Sequence, residues 1–447
     1  MKPLIMSASG TRGIVGENLT PEIGLRVAKA FGTMLHKGPV IVGGDTRTSH
    51  DMLKSAVISG LLSVGTDVID IGRVTTPTVQ QLIRHYKAMG GMVITASHNP
   101  VIWNGIKLMN SSGSFLENDD YDHFAKLYDT ATFTHATWEN QGKLHVEPHA
   151  LHIHINKILD IIDTTSIQNS GLRVLIDPNN GAGAVANPIL FQKLNIHYDM
   201  LHSEPNGHFN HDPEPLKKNV SCIIEALQKG HYDIGFVQDA DADRLVILDE
   251  TGQFIGEDNS LGFCIDFILS QSPAPHHEVV VNLSTSLVIE DICNRHNAQI
   301  HYTKIGETHV TQGLKKWQAT VGGEGNGGVI YPKVGWGRDS LVGMVIALKY
   351  LAESKKKVSE IVSQYPSYVM LREKINLPDT DSLAHLLKTV EAQFPEADIN
   401  REDGVKLSLK GAWIHVRPSN TEPIVRIFIE APTQEQADAL WNRMSLS

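Results

Sequence analysis

The sequence predicts an α/β protein of several domains: three similar α/β domains with mixed sheets, then a smaller C-terminal α+β domain. The first observation is length, because 447 residues are too many for one domain of about 150 residues. The second is that strand-like and helix-like segments alternate, as in layered α/β folds. The third is that this alternation restarts near Gly171 and near Glu278, and changes character after Tyr365.

The first predicted domain spans residues 1–150 and begins with a helix. Thr20 is a suitable N-cap, Pro21 suits the first helical position, and apolar residues from Ile23 to Leu35 follow helical spacing. The elements predicted after it are a strand at 40–42, a helix at 49–64, a strand at 67–71, a helix at 77–87 and a strand at 92–95.

The second and third predicted domains, 151–253 and 254–365, repeat this order of elements. We expect the junctions in polar, aperiodic stretches near 140–155 and 252–260. The predicted elements are strands at 172–176, 196–201 and 232–238, and then a strand at 278–282, a helix at 285–297 and a strand at 299–303.

The last predicted domain, 366–447, has strand-like pieces around a loop at 417–423. An apolar strand at 424–429 and a helix at 433–444 follow the loop. This combination indicates a small α+β domain.

Composition excludes several classes of protein. Apolar residues make up 41% and charged residues 20%, which is ordinary for a globular chain and unlike a disordered one. The formal charge of −11 argues against nucleic acid as a partner. Three scattered cysteines predict neither a disulfide framework nor a cysteine-rich zinc site. The N-terminus is a poor signal peptide and no apolar run approaches about 18 residues, so we expect a cytoplasmic protein without membrane contact.

The segment Thr95–Pro100 places a serine at a functional position. An apolar strand runs into it, so Ser97 lies at the carboxyl end of a strand, where open α/β sheets bind ligands. Lys107 follows and supplies a cation. The segment is not a G-x-S-x-G elbow. The alternative is a turn capped by Ser and Asn.

Three carboxylates, Asp239, Asp241 and Asp243, lie between two apolar strands. At alternate positions of an extended chain they would point to one side and repel each other unless a cation lies between them. Ligands that are all oxygen favour Mg²⁺ over zinc. An EF-hand is excluded because Arg244 stands where glycine is required. The alternative is a solvated acidic turn.

Two further segments suit a sugar phosphate. The glycine-rich run Gly322–Gly328 carries Glu324 and Asn326, which can bind hydroxyl groups, although a flexible hairpin is the alternative. The run Arg417–Pro423 offers a set of anion donors, although a turn stabilised by Asn and Ser is the alternative. Its donor residues are Arg417, Ser419, Asn420 and Thr421.

Two patterns are interpreted as structural. Gly181–Ala186 matches a dinucleotide-binding fingerprint, but Asp199 lies within the following strand and not at its end, so close helix–strand packing is the better explanation. His149, His152 and His154 are expected to form a surface cluster and not a metal site.

Taken in order, the segments Thr95–Pro100, Asp239–Arg244 and Arg417–Pro423 resemble those of the α-D-phosphohexomutase superfamily over essentially the whole chain. The resemblance implies four domains around a central cleft. It also implies interconversion of hexose 6-phosphates and hexose 1-phosphates through a phosphoserine enzyme and a hexose 1,6-bisphosphate, which also acts as activator.

The resemblance implies a role for each candidate residue. Ser97 would carry the phosphoryl group, and Mg²⁺ would be held by a phosphoserine oxygen and the three aspartates. Lys107 would be the general acid/base, with its pKa lowered by burial among cations. The other catalytic and binding residues would be His98 and Arg12 beside the serine, Arg244 flanking the phosphate, Glu324 and Asn326 on ring hydroxyls, and Arg417, Ser419, Asn420 and Thr421 on the second phosphate.

The sequence departs from the common family pattern at three positions. Asn326 stands where many members have Ser, Gly328 where many have His, and Glu307 where many glucose and mannose mutases have His. These features resemble phosphoglucosamine mutases, so we expect glucosamine phosphate as substrate and a monomer or homodimer. The alternatives are mannose or glucose phosphate as substrate, a catalytically silent sugar-phosphate-binding paralogue, a dinucleotide-dependent oxidoreductase and a metal-dependent phosphatase.

Overall fold

The computed structural model describes residues 4–36, 38–271, 276–376, 380–418 and 424–444. The chain forms two compact units. One contains residues 1–260 and 327–360, and the other contains residues 261–326 and 361–447. The predicted boundaries of four domains remain a prediction, and the predicted third domain, 254–365, contributes residues to both units.

The N-terminal part of the first unit is built on a mixed seven-stranded sheet. Its strands are β1 (Ile5–Ser7), β2 (Gly10–Ile14), β3 (Val40–Gly44), β4 (Val68–Arg73), β5 (Gly90–Ile94), β6 (Trp103–Asn110) and β7 (Leu144–Val146). They lie in the order β1-β2-β6-β5-β3-β4-β7. The helices are α1 (Pro21–Leu35), α2 (His50–Ser63), α3 (Thr76–His85) and α4 (Asn118–Thr130). Because β3 and β5 are parallel neighbours, their carboxyl ends meet at one edge.

Helix α1 shows why the predicted pattern forms this structure. Thr20 is extended and Pro21 begins the helix, although the Thr20 side chain makes no capping hydrogen bond to a helix N–H. Val27, Ala28 and Phe31 are fully buried against the sheet's core.

A second sheet repeats the order of the first. Its elements are α5 (Ala150–Ile161), α6 (Thr165–Gln168), β8 (Arg173–Asp177), α7 (Gly183–Leu194), β9 (His197–Met200), α8 (Ser221–Lys229), β10 (Ile234–Gln238) and β11 (Leu245–Leu248). The order β9-β8-β10-β11 matches β4-β3-β5-β6, and in both sheets the last strand is antiparallel.

The third series of elements crosses the division between the units. It comprises α9 (Glu257–Ser270), β12 (Glu278–Asn282), α10 (Leu287–Arg295), β13 (Gln299–Thr303), α11 (Glu307–Lys316), β14 (Val321–Glu324), β15 (Gly328–Ile330), α12 (Ser340–Ser354) and α13 (Val358–Val362). In the second unit, β12 lies between β13 and β14, parallel to both.

The C-terminal part is a five-stranded antiparallel sheet with two helices, which agrees with the predicted small α+β domain, although only the second helix was predicted. Its elements are β16 (Val369–Asn376), α14 (Thr380–Gln393), β17 (Asp398–Asn400), β18 (Val405–Leu409), β19 (Ala412–Pro418), β20 (Ile424–Ala431) and α15 (Gln434–Arg443). The strand order is β16-β20-β19-β18-β17.

Two stretches expected to be aperiodic junctions are partly regular structure. Residues 140–155 include β7, which pairs with β4, and the start of α5. Residues 252–260 include the start of α9. In α5, Leu151 and Ile155 face the core at helical spacing, but the histidines between them obscure this pattern.

His154 is not on the surface as expected. It is fully buried, with Nδ1 2.9 Å from Thr78 Oγ1 and Nε2 2.8 Å from an Asp339 carboxylate oxygen. Among the residues that the structure describes, no helix is long and apolar enough to cross a membrane.

Candidate active site

Ser97 lies just beyond β5, at the edge where β3 and β5 end. The backbone of this turn is strained, since Ser97 has a left-handed φ of 49°, which residues other than glycine rarely adopt. Its backbone N–H donates to Thr95 Oγ1 at 2.9 Å, and its hydroxyl donates to Asp239 Oδ2 at 2.9 Å. The serine predicted from the sequence is therefore in direct contact with the first predicted metal ligand.

Arg47 holds the turn in place. Its guanidinium donates to the carbonyl oxygens of Ser97, Asn99, Pro100 and Trp103 at 2.6–2.9 Å. Its Nε pairs with Asp45 at 3.2 Å, and both side chains are buried. The backbone of the serine loop is thus fixed by one buried cation.

The three aspartates converge as predicted, but through a turn and not an extended strand. The chain turns between β10 and β11, with Ala242 at φ 55°. Asp239, Asp241 and Asp243 are fully buried, and one oxygen of each lies within 4.8 Å of the others. Among the described residues, Asp241 Oδ1 and Asp243 Oδ1 have no hydrogen-bond partner. Buried, unpartnered carboxylate oxygens fit a hard divalent cation such as Mg²⁺.

The surroundings shift the pKa values of two of these carboxyl groups in opposite directions. Burial raises the pKa of Asp239, and the charges of Asp243 and Asp241 raise it further. Burial alone would raise the pKa of Asp241 as well, but Lys107 and Thr76 outweigh it and lower the pKa.

Lys107 on β6 lies among these carboxylates. Its Nζ is 2.6 Å from Asp241 Oδ2 and 3.5 Å from Asp243 Oδ2. Burial lowers the pKa of Lys107, but the two carboxylates more than reverse this, so the pKa is raised. The expectation of a lowered pKa is wrong here, because the nearest charges are anions.

Three further side chains surround Ser97. Arg244 Nη2 donates to His98 Nδ1 at 2.9 Å, which leaves Nε2 to carry the imidazole proton. The charge of Arg244, together with burial, holds the pKa of His98 well below its ordinary value, so this imidazole is neutral. Arg12 on β2 contacts the neighbouring loop, with Nη1 3.5 Å from Asn99 Oδ1.

Arg338 occupies the space next to Gly328. A Cβ built on Gly328 would lie 2.1 Å from Arg338 Cδ, so a side chain at 328 and the observed arginine exclude each other. Arg338 is buried, and its Nη2 donates to Asp243 Oδ2 at 2.7 Å. Arg338, from the chain between β15 and α12, thus fills the space that a side chain at position 328 would need.

In the second unit, Glu324 is held firmly at the end of β14. Its Oε1 accepts hydrogen bonds from Asn282 Nδ2 and from the Gly306 N–H, both at 3.0 Å. The first residues of the predicted sugar-binding run, Gly322 to Glu324, lie on strand β14, which pairs with β12, and not in a flexible hairpin, which was the alternative. Asn326 lies half-buried in the turn that follows.

Arg417 was expected to begin the loop at 417–423, but it lies on strand β19. Its Nε pairs with Asp403 at 3.2 Å, and its Nη2 has no hydrogen-bond partner among the described residues. The other predicted members of this loop lie outside the described residues: Ser419, Asn420 and Thr421. Asp403 also accepts from the Ile305 N–H at 3.0 Å, next to the Gly306 that binds Glu324.

The glycines of the apparent dinucleotide fingerprint have a packing role. A Cβ on Gly181 would lie 2.6 Å from the Ala240 carbonyl oxygen, and one on Gly183 would lie 2.1 Å from Gln238 Oε1. Close approach of α7 to the end of β10 therefore requires both glycines.

Four consecutive stretches of the chain match the domains of a known family. Residues 4–135, 152–252 and 257–368 match alpha/beta/alpha domains I, II and III of phosphoglucomutase/phosphomannomutase, and residues 374–446 match its C-terminal domain. The chain belongs to the α-D-phosphohexomutase superfamily. It is therefore a phosphohexomutase, and membership of this superfamily implies a metal-dependent reaction.

Curated relatives resemble this phosphohexomutase over nearly their whole length. A phosphoglucomutase/phosphomannomutase of Thermococcus kodakarensis is 38% identical, with 96% of this chain and 94% of that protein covered. A protein of Methanopyrus kandleri named a probable phosphoglucosamine mutase is 35% identical, with 97% and 95% covered.

Solved structures share the phosphohexomutase fold. A phosphoglucomutase/phosphomannomutase family protein of Burkholderia thailandensis superposes with a TM-score of 0.88 at 24% identity, over 99% of this chain and 96% of that one. An N-acetylphosphoglucosamine mutase of Aspergillus fumigatus gives 0.63 at 13% identity, over 99% and 95%.

Sequence reasoning missed four residues of this phosphohexomutase that contact the predicted ones. They are Arg47, Thr76, Arg338 and Asp403, which reach the site from other elements. The sequence contains one signal for Arg47. It follows Gly43-Gly44-Asp45 at the end of β3, and β3 is the parallel neighbour of β5, the strand that leads to Ser97. The other three have no local pattern.

Proposed function

We propose that this phosphohexomutase transfers the phosphoryl group through Ser97, with Mg²⁺ held by Asp239, Asp241 and Asp243. The observation that supports this most is the 2.9 Å contact between Ser97 Oγ and Asp239, beside two buried carboxylate oxygens that lack a partner among the described residues. When bound, Mg²⁺ would stabilise charge on the transferring phosphoryl oxygens. A hexose 1,6-bisphosphate would be the intermediate and activator.

The chain's own residues would supply positioning and charge. Arg47 fixes the backbone of the serine loop, so the serine oxygen needs little reorganisation for in-line transfer. Arg12 and Arg244 would bind oxygens of the phosphoserine. Lys107 keeps its ammonium form beside Asp241, and that form can donate a proton to a departing sugar oxygen. Neutral His98 would offer a second donor through Nε2.

Substrate binding would use the second unit's residues. Hydrogen bonds from Asn282 and from the Gly306 N–H hold the Glu324 carboxylate, which would bind ring hydroxyls together with Asn326, two positions later. Arg417 would bind the phosphate that does not react, with Ser419, Asn420 and Thr421. The same contacts to the ring hydroxyls would hold a sugar bisphosphate in both orientations, with either phosphate next to Ser97.

We propose glucosamine phosphate as the preferred substrate. The M. kandleri relative is named a probable phosphoglucosamine mutase, as are relatives from Pyrococcus abyssi and Pyrococcus horikoshii that are each 34% identical. Glu307 at the start of α11 is an acidic residue suited to an amine, and it follows the Gly306 that binds Glu324. Mannose or glucose phosphate is the second candidate, because the T. kodakarensis relative carries that family name.

The direct test compares turnover of glucosamine, glucose and mannose phosphates with Mg²⁺ and a trace of the matching 1,6-bisphosphate. We expect kcat/KM to be at least about 10-fold higher for glucosamine phosphate, since a polar contact to an amine discriminates more strongly than an apolar one. Glu307→Gln should reduce this preference, while Glu435→Gln on α15 serves as a control.

Other outcomes select the alternatives. A preference for glucose or mannose phosphate would contradict the glucosamine assignment and leave a general hexose-phosphate mutase. Binding without turnover of any of them would favour the silent paralogue, and steady release of inorganic phosphate would favour a phosphatase.

We also propose a cytoplasmic monomer or homodimer that acts on free sugar phosphates. The net charge of −11 and the absence of a cysteine framework support this setting.

A further inference from the structure

A second group of potential metal ligands lies in the first unit, apart from the three aspartates. Asp177 ends β8, His202 follows β9, and His211 lies in the irregular chain before α8. Asp177 is fully buried, and one ligand atom of each residue lies within 4.8 Å of the others. Neither the family resemblance nor the proposed reaction uses these residues.

The distances between the ligand atoms suit a single small cation. His202 Nδ1 lies 3.0 Å and 2.9 Å from the two oxygens of Asp177, and a ring that carries its hydrogen on Nδ1 donates it to this carboxylate, so a metal ion would replace that hydrogen. His211 Nε2 is 3.4 Å from Asp177 Oδ2. Two ligand atoms each about 2.1 Å from one ion lie about 3.0 Å apart at a right angle and about 3.4 Å apart at a tetrahedral angle. The distances of 2.9 Å for His202 and 3.4 Å for His211 are close to these two values.

The hydrogen bonds of His211 leave its Nε2 facing the Asp177 carboxylate. Its Nδ1 lies 2.8 Å from the Asp212 carbonyl oxygen, so Nδ1 carries the hydrogen and donates it. In the neutral ring, Nε2 then presents a lone pair towards the Asp177 carboxylate. Among the described residues, this buried Nε2 has no hydrogen-bond partner. Either a proton or a metal ion must lie between the two.

Hydrogen bonds to neighbouring groups orient these three side chains, as such bonds do for ligands in known metal sites. The Asp212 carbonyl fixes the ring of His211, as carbonyls commonly do for histidine ligands. Asp177 Oδ1 accepts from the Asn179 N–H at 2.8 Å, and Asn179 Nδ2 donates to the His211 carbonyl at 2.9 Å. The strand end and the loop are thus joined before any ion binds.

We propose that Asp177, His202 and His211 bind a zinc-class divalent cation that fastens the chain between β9 and α8 to the end of β8. Two imidazoles and one carboxylate suit Zn²⁺, with water in the fourth position. Mg²⁺ would prefer the three aspartates, whose ligands are all oxygen. The two sites therefore differ in the metal that they select.

The competing occupant is a proton. Burial lowers the pKa of His211, but Asp177 more than reverses this and raises it. A protonated His211 would make an ordinary ion pair with Asp177 and need no metal. Metal binding, and not stability alone, must therefore be measured.

The test uses the full chain without a polyhistidine tag, stripped of metal and titrated with Zn²⁺ in excess Mg²⁺, which occupies the three aspartates. We expect one tight Zn²⁺ site per chain. His211→Gln and Asp177→Asn should each weaken it at least about 100-fold, since even outer-shell changes cost 10- to 100-fold. His208→Gln, an exposed histidine in the same loop, should bind as the unaltered chain does.

Co²⁺ provides a measurement on the unaltered chain that does not depend on whether a variant folds. Visible absorption bands of Co²⁺ bound by imidazole should appear at one equivalent and be displaced by Zn²⁺. Zn²⁺ should also raise the Tm of the unaltered chain and not that of His211→Gln. Absence of a tight Zn²⁺ site in the unaltered chain, or equal affinity in His211→Gln, would overturn the proposal and leave the proton as occupant.

Discussion

Asp243 lies near three cations: Lys107 at 3.5 Å, Arg244 at 3.9 Å and Arg338 at 2.7 Å. Arg338→Gln should lower kcat/KM about 10- to 100-fold, which corresponds to the roughly 1.5–3 kcal/mol of a hydrogen bond between charged groups. The apparent affinity for Mg²⁺ should not weaken, because the removed charge is one that opposes the metal.

Arg338→Lys is the matched control, since it keeps the charge but loses the planar fork. We expect it to recover part of the activity. Steady-state kinetics of both variants over a range of Mg²⁺ concentrations check this role. If kcat/KM of Arg338→Gln stays within twofold of the unaltered enzyme, Arg338 does not contribute.

Gly328→Ala tests the same arginine from the other side. The added Cβ would meet the Arg338 stem at 2.1 Å, so the guanidinium must leave Asp243, and activity should fall to the level of Arg338→Gln. Gly24→Ala in α1 is the control, because its added Cβ has no neighbour closer than 3.5 Å. Equal activities for the two alanine variants would contradict the exclusion of a side chain at 328.

At the scale of residues, the sequence located Ser97 and the three aspartates because each follows a recognisable apolar strand. It could not locate Arg338, whose partner Asp243 is 95 positions away. The direction of the pKa shift of Lys107 could not be predicted from the sequence either, since it depends on which charges lie nearest to the ammonium in space.

The serine loop depends on one buried side chain, Arg47. Arg47→Met would leave the buried Asp45 carboxylate without its cation and remove the hydrogen bonds from the guanidinium to the loop carbonyls, and should lower the free energy of unfolding by about 3–5 kcal/mol. Arg73→Met removes an exposed pair with Asp51, and should cost less than about 1 kcal/mol. Urea unfolding of both variants measures the difference, and equal losses would show that Arg47 does not hold the loop.

At the scale of elements, the helices and strands that were given bounds lie within two or three residues of the observed ones, whereas many other elements were not predicted. The strand at 278–282 has the expected bounds, and the helix predicted at 49–64 forms at His50–Ser63. Strand β7 was missed because it has only three residues, all of them exposed at the edge of the sheet, and an alternation as short as Leu144-His145-Val146 does not by itself predict a strand.

Across the whole molecule, buried neutral histidines should make stability depend on pH. Burial lowers the pKa of His50 in the first unit and of His415 in the second, each to about 4. Between pH of about 6.5 and 4 the unfolded chain binds protons that the native chain does not, so stability falls as pH falls. Each histidine should account for a loss of up to about 3 kcal/mol.

His50→Leu should flatten this dependence, while His123→Gln, at an exposed position of α4, should not change it. Urea unfolding from pH 8 to pH 5 gives the slopes. Parallel curves for His50→Leu and the unaltered chain would contradict a neutral, buried His50.

The sequence also predicted the order of the whole chain. The strand order of the first sheet recurs in the second, which confirms a repeat of elements without a repeat of residues. The division into two compact units was not predictable, because residues 327–360 join the first unit through contacts such as those of Asp339 with His154 and of Arg338 with Asp243. Such contacts leave no local signal.

The most direct test of the central claim is to incubate the enzyme with a hexose 1,6-bisphosphate and locate the phosphate by peptide mass spectrometry. The account predicts one phosphate on Ser97, and neither phosphate nor mutase turnover in Ser97→Ala with its fold intact. A phosphate on another residue, or ordinary turnover in Ser97→Ala, would contradict it.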